Sequence, residues 1–137
     1  MRMVVCMKAV PSTTEVRMDP KTNTIVRDGR QSVVNPFDTA ALEVALELKE
    51  RLGGTVRALS MGIPDTARLL RDAVARGADS ATLLSDRAFA GADTLATSYA
   101  LSLALGEGDE RPDLVLCGKM AVDGDTAQIG PELAGIM

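Results

Sequence analysis

The sequence predicts an α/β fold, a doubly wound parallel sheet carrying a small hairpin insertion. Three observations lead there. Short strand-like apolar runs alternate with helical stretches of 10 to 17 residues. The first run, Met3 to Val10 (MVVCMKAV), is almost continuously apolar, as a strand buried on both faces requires. Helical stretches also carry their punctuation, with Asn35-Pro36 before one and Gly53-Gly54 after it.

After the first strand, Glu15 to Arg27 reads as a hairpin. Val16 and Met18 alternate with charged residues, Asp19 to Asn23 makes the turn, and Thr24-Ile25-Val26 returns. Asn35-Pro36 opens a helix through Leu52, with Leu42, Ala45, Leu46 and Leu48 at helical spacing. Thr55 to Ser60 is the second strand, and Asp65 to Arg76 a helix that ends at Gly77. Ser80 to Ser85 is the third strand, followed by an Asp93-capped helix from Thr94 to about Leu105. Asp113 to Gly118 is the fourth strand, and a last helix begins near Gln128 to Pro131. We expect residues 1–137 to form one nucleotide-binding domain, incomplete at its C-terminus and truncated before its fifth strand. Such a piece should be poorly stable alone, because its sheet edge is left open.

Composition narrows the function. The chain is 46% hydrophobic and 25% charged with a net charge of −4, which fits a soluble globular protein and shows no basic block for nucleic acid. No apolar run is long enough for membrane insertion, and no signal-peptide pattern opens the chain, so a cytoplasmic location is expected. There is no histidine, which removes His-based metal sites and Ser-His triads. Cys6 and Cys117 read first as small apolar core residues, with a redox or disulfide role as the alternative.

In a parallel sheet of order 3-2-1-4, ligands bind beyond the carboxyl ends of the first and fourth strands. The most unusual loop starts there, running from Cys117 to Pro131. Gly118, Gly124 and Gly130 would permit close backbone approach and positive φ, Thr126 and Gln128 add neutral donors, and a helix N-terminus follows. Pro131 suits a first helical turn. The competing reading is a turn in which Asp125 and Gln128 form a capping box. Asp123 and Asp125 would repel a phosphate unless they cap backbone groups or meet ribose hydroxyls. Asn35 and Asp38 either cap their helix or hydrogen-bond an adenine or ribose. Asp93 and Thr94 form another helix start, either a cap or an anion anchor, and Met61 is an apolar wall for a core or an adenine. No GxGxxG fingerprint and no Walker loop occur.

The segments VVCMKAVP, NPFDTAALEVALELKE, LSMG, ARGAD, DLVLCGK and DGDTAQIGPELA, in this order and spacing, resemble the beta subunit of electron transfer flavoproteins over essentially the whole chain. That resemblance implies a fold like the adenine-nucleotide-binding universal stress proteins. It also implies a heterodimer with an electron transfer flavoprotein alpha subunit, exchanging electrons with a flavin dehydrogenase such as an acyl-CoA dehydrogenase. Nucleotide contacts would fall on Cys6, Asn35, Pro36, Phe37, Asp38 and Met61. On the loop they would fall on Ala121, Val122, Asp123, Gly124, Asp125, Thr126, Ala127, Gln128, Ile129, Gly130, Pro131 and Glu132. Ordinary members hold AMP in this subunit, whereas electron-bifurcating members hold a second FAD that takes a hydride from NADH. GADTLATSYAL and DGDTAQIGP look more like the bifurcating group, which favours FAD, with AMP as the alternative. The chain would then be an electron carrier, with NADH oxidation only alongside the alpha subunit. The rival functions are a stand-alone adenylate-binding stress-type module and an enzyme using Asp123 and Asp125 as paired carboxylates.

Overall fold

The computed structural model describes residues 1–12, 18–24 and 32–137. In chain order the first elements are β1 (Arg2–Cys6), β2 (Ala9–Pro11), β3 (Ser32–Val34), α1 (Pro36–Leu52) and β4 (Thr55–Met61). Then come α2 (Thr66–Arg76), β5 (Ser80–Leu84), α3 (Thr94–Leu105), β6 (Leu114–Cys117) and α4 (Ile129–Ile136). Four strands form a parallel sheet in the order β5-β4-β1-β6, as the alternating pattern predicts.

Alternation along β1 divides the core between two faces. Met3, Val5 and Met7 point into one cluster with Leu42 and Ala45 of α1 and Leu70 and Ala73 of α2. Val4 and Cys6 point the other way, to Leu101 and Leu105 of α3 and Leu133 of α4. Helices therefore cover both faces, and the fold is doubly wound. Lys49 of α1 reaches Asp79 at 2.8 Å, whose other oxygen accepts from Val56 N at 2.8 Å. That link ties the end of α1 to the start of β4.

The expected single strand from Met3 to Val10 divides in two. Met7 N still donates to Leu59 O at 2.8 Å, but Lys8 N turns to Asp38 Oδ2 at 2.8 Å and leaves the sheet. The chain then pairs antiparallel as β2 with β3, a short ribbon without a sequence signal of its own. Of the expected hairpin, the turn is present: Asn23 N donates to Asp19 O at 2.8 Å, and Asn23 has a φ of +54°. Residues 13–17 and 25–31, which hold most of its two strands, lie outside the described residues.

Two features stand out from this packing. The Ser60 and Thr66 hydroxyls are buried without a hydrogen-bond partner. Thr66→Val keeps the shape and removes such a group, so it should raise the unfolding free energy by about 1 kcal/mol in denaturant melts. Second, α3 is apolar on both sides. Leu95, Tyr99 and Leu103, spaced at i, i+4 and i+8, are 63%, 59% and 62% exposed. No helix among the described residues is long and apolar enough to cross a membrane.

Candidate functional site

Strand order reverses between β1 and β6, because the chain runs outward from β1 through β4 to β5 and then returns to β1's other side. A crevice beyond the carboxyl ends of these two strands is the expected ligand position. The start of α1 and the loop after β6 meet there.

Asn35 links them. Its Nδ2 donates to Met120 O at 2.9 Å and its Oδ1 accepts from Val122 N at 3.1 Å. The residue is 1% exposed and makes no side-chain cap of α1, so the capping alternative fails. Its amide holds the loop backbone and is not free for a base or ribose. Asp38 is also not a cap: Oδ2 accepts from Lys8 N. A Cβ on Gly118 would collide with Asp38 Oδ1 and lie 2.7 Å from Phe37 C and 2.9 Å from Asp38 N. Gly118 therefore lets the end of β6 press directly on the first turn of α1, with Phe37 half-buried beside it and Pro36 exposed.

Burial pushes the Asp38 carboxyl above its ordinary value, partly offset by hydrogen bonds from Lys8 N, Asn35 and Gly118 N. Folding thus favours its protonated form. Its contribution to stability is fully present below the ordinary carboxylate range and is lost as pH rises through the raised value. A carboxyl-carbon NMR titration should show the Asp38 midpoint above the ordinary aspartate value of 3.8. A midpoint at or below that value would mean its hydrogen bonds outweigh desolvation.

Within the loop, Asp125 N donates to Ala121 O at 2.9 Å. Asp125 and Ala127 adopt positive φ, +53° and +55°. Non-glycine residues held there cost free energy, and such strain concentrates at functional loops. Gly118, Gly124 and Gly130, expected to supply positive φ, do not adopt it. Gly118 serves close packing instead, whereas a Cβ on Gly130 would make ordinary contact with Cys117 and one on Gly124 would meet nothing within 4 Å. The Asp125–Gln128 capping box is absent: α4 begins at Ile129 and Gln128 makes no side-chain cap. Gln128 thus gives the N–H groups of the α4 start no side-chain acceptor, and Gly130 there is half-buried and Pro131 exposed.

The repulsion expected from Asp123 is answered by Lys8. Its ammonium lies 2.8 Å from Asp123 Oδ1, and Asp123 is only 14% exposed. Sequence reading missed this role. The signal was the single charge inside MVVCMKAV, which marks where the strand leaves the sheet. Asp125 and Thr126 are exposed, while Ala121 and Ala127 are half-buried.

The second expected anion anchor is already filled. Asp93 Oδ1 accepts from Ala96 N at 2.8 Å, so the carboxylate itself caps α3. Thr94 Oγ1 and Ser98 Oγ donate to the two carboxylate oxygens of Glu132 at 3.0 and 2.9 Å, joining α3 to α4. Met61 is half-buried against the second core cluster, and Cys6 is buried within it.

The model of the electron transfer flavoprotein domain matches residues 22–137. The chain is 51% identical over 137 residues to Protein FixA of Azorhizobium caulinodans, covering 98% of this chain and 49% of that protein. It is 52% identical over 134 residues to the electron transfer flavoprotein subunit beta of Thermoanaerobacterium thermosaccharolyticum, covering 98% and 51%. It is also 51% identical over 135 residues to the caffeyl-CoA reductase-Etf complex subunit CarD of Acetobacterium woodii, covering 98% and 51%. The chain spans about half the length of these relatives. With the family model matching residues 22–137 and these relatives about half identical over 98% of the chain, the chain belongs to the electron transfer flavoprotein family.

Proposed function

We propose that this chain is the nucleotide-binding part of an electron transfer flavoprotein beta subunit, which holds FAD and passes electrons together with an alpha subunit. The observation that carries this reading is the strained 119–128 loop at the β1–β6 switch point, clamped by Asn35 and leading into an uncapped helix start. Backbone N–H groups of the loop and of α4 would take the phosphates, and open space at Gly124 would let them approach. Lys8 would hold Asp123 neutralised as it does now, keeping the acidic loop compatible with an anion. When bound, FAD supplies the one- and two-electron chemistry. The chain's own residues bind and orient it.

AMP is the second reading, and one observation favours it. Of the two anion anchors expected, Asp93 closes the one at the α3 start, and the loop with the α4 start that is left suits a single phosphate as well as a pyrophosphate. The apolar stripe Leu95, Tyr99 and Leu103 suits a protein partner such as the alpha subunit. One relative is named as a subunit of a caffeyl-CoA reductase-Etf complex, which supports a flavin dehydrogenase of CoA thioesters as the electron partner. NADH as donor and a cytoplasmic location belong to the same reading. A stress-type adenylate module would need no flavin or alpha subunit.

Acid release of ligands from the purified alpha–beta heterodimer, with flavins counted per pair, tests the proposal. Two flavins are the expected result. One flavin with stoichiometric AMP would transfer the assignment to AMP, and no nucleotide bound to this subunit would end the reading.

A further inference from the structure

The two cysteines stand opposite each other at the switch point. Cys6 ends β1, Cys117 ends β6, and they are direct partners in the parallel register. In-register residues on neighbouring parallel strands project to the same face, and both sulfurs lie in the cluster beneath α3 and α4. Neighbouring strands run about 4.7–4.9 Å apart, inside the Cα separations that a disulfide spans. The register and the shared cluster set the two thiols facing each other on one side of the sheet.

Their surroundings differ. Cys6 is 7% exposed, whereas Cys117 is half-buried. The first turn of α4 passes over Cys117, since a Cβ on Gly130 would lie 3.5 Å from Cys117 Cβ and 4.0 Å from its Sγ. A thiol beside a helix N-terminus and a donating partner is favoured as thiolate. Accordingly the Cys117 thiol is pulled below its ordinary value by the Cys6 hydrogen bond, and Cys6 is pushed up by the same bond and by burial. One thiol is thus built to react and the other to wait.

We propose that Cys117 and Cys6 form a peroxide-reactive thiol pair, in which Cys117 is oxidised by a hydroperoxide and Cys6 resolves it to a disulfide across the β1–β6 junction. The Cys117 thiolate attacks the terminal peroxide oxygen. The O–O bond breaks, Cys117 becomes a sulfenic acid, and the leaving alkoxide or hydroxide takes up a proton. Cys6 then attacks the sulfenic sulfur, the S–O bond breaks, and the departing hydroxide takes the Cys6 proton as water. Two thiols lose two electrons and the peroxide gains them. The inference rests on the strand register and the unequal exposure of the two thiols, and stands independently of the nucleotide assignment. Its consequence reaches the loop, because the bond would join the residues that end β1 and β6, one short step from Lys8 and Gly118.

The test is to treat reduced protein with hydrogen peroxide, denature it in iodoacetamide and map its peptides by mass. We expect both thiols to be lost together, a peptide pair joined through Cys6 and Cys117, and recovery of both thiols with dithiothreitol. In Cys6→Ser, Cys117 should pass on to sulfinic acid, and in Cys117→Ser the Cys6 thiol should remain alkylated. Wild type alone decides if either variant fails to fold. Oxidised Cys117 accumulating beside free Cys6, or two thiols inert to peroxide, would overturn the proposal and leave both as core residues.

Discussion

Gly118→Ala should destabilise the protein by about 2–3 kcal/mol, the largest stability effect expected of any single methyl group in this loop. The added Cβ would meet backbone, Phe37 C at 2.7 Å and Asp38 N at 2.9 Å, as well as the Asp38 carboxylate. A flexible side chain could turn away, but the first turn of α1 cannot move without disturbing Asn35 and the Lys8–Asp38 bond. Gly124→Ala is the matched control, six residues further along the same loop and facing open space. Equilibrium urea unfolding of both variants measures the difference. Equal midpoints would show that the β6–α1 contact yields easily, and the tight approach would lose its meaning.

Gly124→Val should weaken nucleotide binding at least about tenfold while leaving the melting temperature close to that of wild type. A Cβ there would meet nothing within 4 Å and the position needs no positive φ, so the folded chain should accept a valine. A phosphate approaching the loop backbone would meet the isopropyl group. Glu47→Ala removes only an exposed i,i+4 partner of Arg51 and should change affinity little. Asn35→Ala acts on both roles proposed for this region. It removes both hydrogen bonds to the loop, so it should lower affinity and stability together and speed exchange of the Val122 amide. Calorimetric titration with FAD and AMP reads the affinities. Equal losses from Gly124→Val and Glu47→Ala would remove the phosphate from this loop.

Patterns along the chain by themselves determined the fold class, the parallel sheet and most helix limits, while the strand order entered only as a supposition. Periodicity, Asn35-Pro36 and the glycines that end helices are local signals, and local backbone preferences survive folding. α1 and α3 begin and end where those signals put them. The family was legible for a similar reason, since six short motifs in register leave few other folds. What only the tertiary structure decided is what each side chain does once residues distant in sequence meet. Asn35 turned from cap or ligand contact into a clamp on residues 85 and 87 positions later. Gly118 was expected to allow close backbone approach with positive φ; it lacks the positive φ, and the approach it allows is that of α1. Lys8 met Asp123 and Cys6 met Cys117 because a parallel sheet sets the first and last strands side by side. Such pairings depend on register between separate strands, and no spacing along one strand encodes its partner.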